Sequence, residues 1–167
     1  MLNLGCVIMA AGNSRRFGTN KLAAEVQGRS LILRALEAAP AEEFKKTAVV
    51  TQYPEIMELA ERFRFTAIHN AHPDWGISHT IRLGLDALGD CDGVMFLVSD
   101  QPLLRRESVK ALAELWHGQP DRIAALAHGG VRGNPCLFPS RFFPELRELR
   151  EEQNYLQRFV PLFDGRR

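Results

Sequence analysis

A chain of 167 residues with 46% hydrophobic content is long enough for one domain with its own core and short for two. With 21 basic and 20 acidic residues the net charge is only +1, so there is no global field for nucleic acid or a membrane surface, and any anion must be bound locally. The chain is therefore expected to fold as a single domain over residues 1–167. Cys6, Cys91 and Cys136 are far apart, with no C-x-x-C spacing, which argues for reduced thiols in a cytoplasmic protein and against a zinc site or a disulfide framework. The first apolar run is short and has no basic residues before it, so it reads as a strand and not as a signal peptide. No window approaches the roughly 18 apolar residues of a membrane span.

In chain order, apolar runs at Leu4–Met9, Thr47–Thr51, Phe65–Ile68, Gly93–Ser99 and Ile123–Ala127 predict strands. Between them, Ser30–Ala39, Pro54–Phe63, Ser78–Leu88 and Glu107–Trp116 carry helical periodicity. Ser30 and Ser78 are expected N-caps, and Pro54 stands where a first-turn proline is tolerated. Strands alternating with helices predict an α/β fold, a Rossmann-like three-layer α/β/α arrangement around a mostly parallel sheet. In such a sheet ligands bind outside the carboxyl ends of the strands, where the strand order reverses.

Two candidate elements end at that edge. The run through Ala10 and Ala11 breaks into a loop holding Gly12, Ser14, Arg15, Arg16 and Gly18, and then Lys21. Glycines let backbone N–H groups converge on an anion, while arginine forks and a lysine ammonium supply full charges. The spacing matches neither G-x-G-x-x-G nor G-x-x-x-x-G-K-[ST]. Further on, Gly93–Val98 leads straight into Ser99, Asp100, Gln101 and Pro102. A carboxylate there, facing a basic loop, suits Mg²⁺, which takes one or two carboxylates together with substrate phosphate oxygens. The plain alternative is an Asp-x-Pro turn. Ser78 and the N–H groups that open its helix can receive an anion, with Thr80 and Arg82 within one turn. Arg132-Gly133-Asn134-Pro135 reads from residue chemistry as a turn before a short strand. His69, His72 and His79 lack any supporting cysteine or i,i+4 pair and do not make a metal set.

Ala10-Ala11-Gly12-x-Ser14-Arg15-Arg16-x-Gly18-x-x-Lys21-Leu22 resembles the signature loop of the MobA/MocA-like nucleotidyltransferases, and within them the molybdenum cofactor cytidylyltransferases. Ser99-Asp100-Gln101-Pro102 is similar to their (G/S)DQP motif, His72–Leu85 to their NPDW-containing motif shortened before Gly76, and Arg132–Phe138 to (R)GNP-x-(L/V)F. The resemblance implies the nucleotide-diphospho-sugar transferase type of fold and Mg²⁺-dependent transfer of CMP from CTP to molybdopterin or the molybdenum cofactor. It also implies roles. Arg16, Lys21 and Asp100 would be catalytic, with Asp100 on the metal. Ala10, Ala11, Gly12, Ser14, Arg15, Arg16, Gly18, Lys21, Ser78 and Arg82 would bind nucleotide. Gln101, Pro102, Arg132, Gly133, Asn134 and Pro135 would meet the pterin. Beyond about Leu146 the family's DIDTPED element has no counterpart, which makes the domain look short at that end and leaves Asp164 as the one aspartate of the tail. That leaves room for a nucleotide- or pterin-binding accessory protein serving a molybdenum hydroxylase, or for a sugar phosphate as acceptor.

Overall fold

The computed structural model describes residues 2–12, 25–26, 29–101, 103–128 and 131–150. Its strands are β1 (Leu4–Ala10), β2 (Glu25–Val26), β3 (Arg29–Ser30), β4 (Lys46–Thr51), β5 (Thr66–His69), β6 (Gly93–Val98), β7 (Ala124–His128) and β8 (Val131–Pro139). Its helices are α1 (Leu31–Ala38), α2 (Pro54–Arg62), α3 (Ile77–Leu88), α4 (Arg106–Gly118) and α5 (Phe143–Arg147). Each expected strand and helix is present, displaced by a residue or two at its ends.

Six strands form one sheet in the order β5-β4-β1-β6-β8-β7, while β2 and β3 make a separate antiparallel ribbon. β1 pairs in parallel with both β4 and β6, and β4 with β5. The chain thus builds outward from β1 on one side through β4 and β5, then returns to place β6 on the other. The order reverses between β1 and β6, so their carboxyl ends flank the crevice of the doubly wound sheet.

The seven residues of β1 are all buried, because β1 is covered on both faces. Its alternate side chains enter two cores. Leu4, Cys6, Ile8 and Ala10 pack with α1, α2 and α4 through residues such as Leu36, Ile56 and Trp116. Val7, Met9 and Ala11 pack with α3 and α5 through Ile81, Leu85 and Leu146. This two-residue alternation between helical layers is the expected α/β/α sandwich.

Two local expectations fail. Ser30 does cap α1, its Oγ accepting from the Leu33 N–H at 3.2 Å. Ser78 does not cap α3: the N-cap is Gly76, at φ 86°, and Ser78 lies inside the first turn. A left-handed backbone at Gly76 turns the chain from the 3-10 turn Pro73–Trp75 into α3, and only glycine takes that conformation cheaply. Replacing Ser30 by alanine should cost about 1 kcal/mol, seen as a Tm lowered by roughly 2–4 °C.

Gly133-Asn134-Pro135 is not a turn but lies within β8, antiparallel to β6 and β7. Pairing with β7 jumps from Ala125↔Cys136 to Leu126↔Gly133, which leaves Asn134 and Pro135 in a bulge. A proline there breaks no ladder hydrogen bond, so the sheet tolerates it.

Candidate active site

The carboxyl edge collects the ends of β1, β4, β5 and β6 and the bulge of β8. Between β1 and β6 the Ser99 Oγ, 5% exposed, donates to the Met9 carbonyl at 2.9 Å. Since Met9 pairs with Val98, this bond extends the ladder one step and brings Gly12 and Asp100 out on neighbouring strands. Both are exposed at the mouth of the crevice.

Gln101 turns toward β8. Its Nε2 donates to the Asn134 carbonyl at 2.9 Å, and because only an N–H can face a carbonyl, the other end of the amide must be the oxygen. That Oε1 is buried and has no hydrogen-bond partner among the described residues. The bulge in β8 is what presents the Asn134 carbonyl here, so Asp100, Gln101, Asn134 and Pro135 are brought together by one turn and one irregularity.

On the β4 side, Gln52 and Tyr53 reach the chain as it leaves β1. Gln52 Nε2 donates to the carbonyls of Ala11 at 2.9 Å and Gly12 at 3.3 Å, and the Tyr53 hydroxyl donates to Gly12 at 3.1 Å. Pro54 holds the preceding Tyr53 extended, at φ −99° and ψ 120°, and the Tyr53 N–H donates to Thr51 Oγ1 at 3.1 Å.

Past β5, Asn70 is 1% exposed and fully engaged. Its N–H donates to the Thr51 carbonyl at 2.8 Å, its Nδ2 to Thr80 Oγ1 at 3.2 Å, and its Oδ1 accepts from the His72 N–H at 2.8 Å. These bonds pin the start of α3 to the sheet edge. In that first turn the Ser78 hydroxyl, on a residue 1% exposed, has no partner among the described residues. Nearby, His72 stacks on the indole of Trp75 with centroids 3.8 Å apart, and His79 meets the same indole edge-on at 4.8 Å. Burial, Arg82 and His72 together hold the His79 imidazole below its usual range.

Arg82 is placed elsewhere. Its Nη1 donates to the carbonyls of Leu149 at 3.0 Å and Arg147 at 3.4 Å, so it ties α3 to the segment after α5 and is not aimed at the sheet edge. Ser14, Arg15, Arg16, Gly18, Lys21, Pro102 and Asp164 lie outside the described residues, and Arg132 enters only through its backbone. Gln52, Tyr53 and Asn70 were not singled out in the sequence, since polar residues after strands have no signature of their own.

Among the described residues no group of three or more His, Cys, Asp or Glu is arranged to hold a metal. One exposed carboxylate, Asp100, stands at the crevice. That donor set fits a cation whose remaining ligands are phosphate oxygens and water, and does not fit a closed protein cage. All three cysteines are buried, and burial pushes the Cys6 and Cys91 thiols up, which leaves neither suited to act as a nucleophile. No helix among the described residues is long and apolar enough to cross a membrane.

Comparison with known proteins settles the class. The family description "MobA-like NTP transferase domain" matches residues 6–162, well past the Leu146 at which the recognisable motifs run out. The chain belongs to this family. Nucleotidyl transfer is accordingly its class of reaction. The purine catabolism protein PucB of Bacillus subtilis is 28% identical over 163 residues, 88% of this chain and 76% of that one. A probable molybdenum cofactor guanylyltransferase of the same organism is 26% identical over 149 residues, covering 88% and 72%. A 3-deoxy-manno-octulosonate cytidylyltransferase of Francisella philomiragia is 28% identical over 130 residues, 75% of this chain and 50% of that one.

Among solved structures, a nucleotidyl transferase from Methanothermobacter superposes with a TM-score of 0.78 at 20% identity, covering 95% of this chain and 82% of that one. Rv0371c of Mycobacterium tuberculosis in complex with manganese gives 0.73 at 17% identity, with the same coverage. CMP:2-keto-3-deoxy-manno-octonic acid synthetase complexed with CTP gives 0.69 at 13% identity, again covering 95% and 82%. At these identities the structures establish the fold, which is that of the nucleotide-sugar transferases.

Proposed function

We propose that the chain transfers CMP from CTP, with a divalent cation, to the terminal phosphate of molybdopterin or the molybdenum cofactor, releasing pyrophosphate. The observation that carries this reading is the emergence of Gly12 and Asp100 just past the carboxyl ends of the adjacent strands β1 and β6, which Ser99 and Met9 join at the point where the strand order reverses. A phosphate oxygen of the acceptor attacks the α-phosphorus, and the bond to the β-phosphate oxygen breaks with pyrophosphate leaving. The nucleophile is already anionic and needs no general base, so the protein's contribution is positioning and charge neutralisation.

In this reading Ala10, Ala11 and Gly12 with Ser14, Arg15, Arg16, Gly18 and Lys21 form the nucleotide loop. Arg16 and Lys21 neutralise the triphosphate. Asp100 holds Mg²⁺, which when bound offsets charge on the phosphates. Ser78, with a buried hydroxyl that has no partner among the described residues, supplies a further polar contact to the nucleotide. Arg82 is left out of this set, because its guanidinium is committed to backbone carbonyls. Gln101, Asn134 and Pro135, with Pro102, Arg132 and Gly133, form the acceptor half, where the Gln101 Oε1, without a partner among the described residues, accepts an N–H from the pterin. A molybdenum hydroxylase would be the recipient of the product.

The cytidylyltransferase of Francisella favours a second reading, in which the acceptor is of sugar type. A panel decides between them: CTP and Mg²⁺ are offered with molybdopterin, with 3-deoxy-manno-octulosonate or with a sugar phosphate, and pyrophosphate is measured. Release with molybdopterin alone supports the first reading, and release with a sugar acceptor alone replaces it. Saturable CTP binding with no release from any acceptor would make the chain an accessory binder.

A further inference from the structure

The residues that hold the chain as it leaves β1 stand just past the end of β4, 40 or 41 positions away in sequence, and nothing in the family resemblance marks them. We propose that Gln52 and Tyr53 are positioning residues for the nucleotide: they clamp the carbonyls of Ala11 and Gly12 and thereby aim the Gly12 N–H into the crevice as a donor to a phosphate oxygen. The inference rests on the reading of that crevice as the nucleotide site.

The geometry carries it in three steps. One carboxamide nitrogen reaches two successive carbonyls, those of Ala11 and Gly12. Along a strand successive carbonyls face opposite sides, so the chain has left β1 at this point and turned both carbonyls toward β4. The Ala11–Gly12 peptide is trans, and a planar trans peptide points its C=O and N–H in opposite directions. The Gly12 N–H is therefore directed away from β4, to the side on which β6 and Asp100 stand.

Among the described residues the Gly12 N–H finds no acceptor, and a Cβ built on Gly12 meets no atom of theirs within 4 Å. The clamp is itself rigid, since Pro54 fixes the backbone of Tyr53 and Thr51 Oγ1 receives its N–H. The Gln52 amide on the Ala11 carbonyl also polarises the Ala11–Gly12 peptide to which that N–H belongs.

Isothermal titration of Mg²⁺ and CTP into the wild type, Tyr53→Phe, Gln52→Leu and Gln52→Glu tests the clamp, with Tm and the KM of the acceptor measured alongside. Tyr53→Phe and Gln52→Leu should each raise the Kd for CTP by about tenfold, the loss of hydrogen bonds that orient a donor. Tm should fall by no more than about 4 °C, and the acceptor's KM should hold. Gln52→Glu keeps the size but sets a carboxylate against two carbonyls, and should weaken CTP at least as much as Gln52→Leu. Wild-type affinity in all three variants overturns the inference while leaving the nucleotide site intact. A parallel rise in the acceptor's KM with a collapse in Tm shows a merely structural role and also overturns it. No binding of CTP, GTP or ATP by the wild type overturns both the inference and the reading on which it stands.

Discussion

Asp100→Ala is expected to slow pyrophosphate release by about a hundred- to a thousandfold, the cost of removing a group that neutralises charge in the transition state. Asp100 is exposed, so its loss should leave Tm within about 2 °C of the wild type. That separation matters, because it distinguishes a failed site from a failed fold. Asp100 is also the single carboxylate that the described residues bring to the crevice between β1 and β6. The variant should therefore need a higher Mg²⁺ or Mn²⁺ concentration for its residual activity, as expected when a hard oxygen ligand is lost from a site that has few. A titration of rate against metal concentration, run on both proteins, reads this directly. An unchanged rate and an unchanged metal requirement would remove Asp100 from the mechanism.

Gly84→Val should damage the fold severely. Glycine in a helix interior normally costs stability, so propensity alone predicts a gain on replacement. Here α3 lies directly on the central strand, and a Cβ at position 84 would fall 2.7 Å from Val7 Cγ2 and 2.8 Å from Val7 Cγ1. Val7 is fully buried on β1 with a stiff, β-branched side chain, and neither it nor the helix has room to give way. Overpacking of this kind costs about 3 kcal/mol or more, which corresponds to a Tm lowered by roughly 6–12 °C in thermal unfolding. A Tm at or above that of the wild type would show that α3 can lift from the sheet. Because α3 also carries Ser78, CTP affinity should fall along with Tm in this variant, unlike Asp100→Ala.

What could be read from the sequence was whatever is local. The apolar runs of β1 and β6 gave two parallel strands buried on both faces, and Asp100 at the end of one of them gave the site its edge. Caps and ties were less legible. Ser30 caps α1 as expected, whereas Ser78, an equally good cap by residue type, is displaced by Gly76, whose positive φ makes the turn. Arg82 looks like an anion ligand by type and position, yet carbonyls 65 and 67 residues further along claim it. Gly133-Asn134-Pro135 has the composition of a turn and is instead a bulge in β8, because the sheet around it supplies pairing that composition does not reveal. Gln52 and Tyr53 act on a backbone about 40 positions away, and only the parallel pairing of β1 with β4 brings them there.

The central claim is tested most directly by pyrophosphate release from CTP, GTP and ATP by the wild-type protein with molybdopterin, with Mg²⁺ present or removed by a chelator. The account predicts release with CTP in clear excess over GTP and ATP, abolished by the chelator and restored by added Mg²⁺. Release that persists without a divalent cation, or none from any nucleotide under conditions where CTP demonstrably binds, would contradict it.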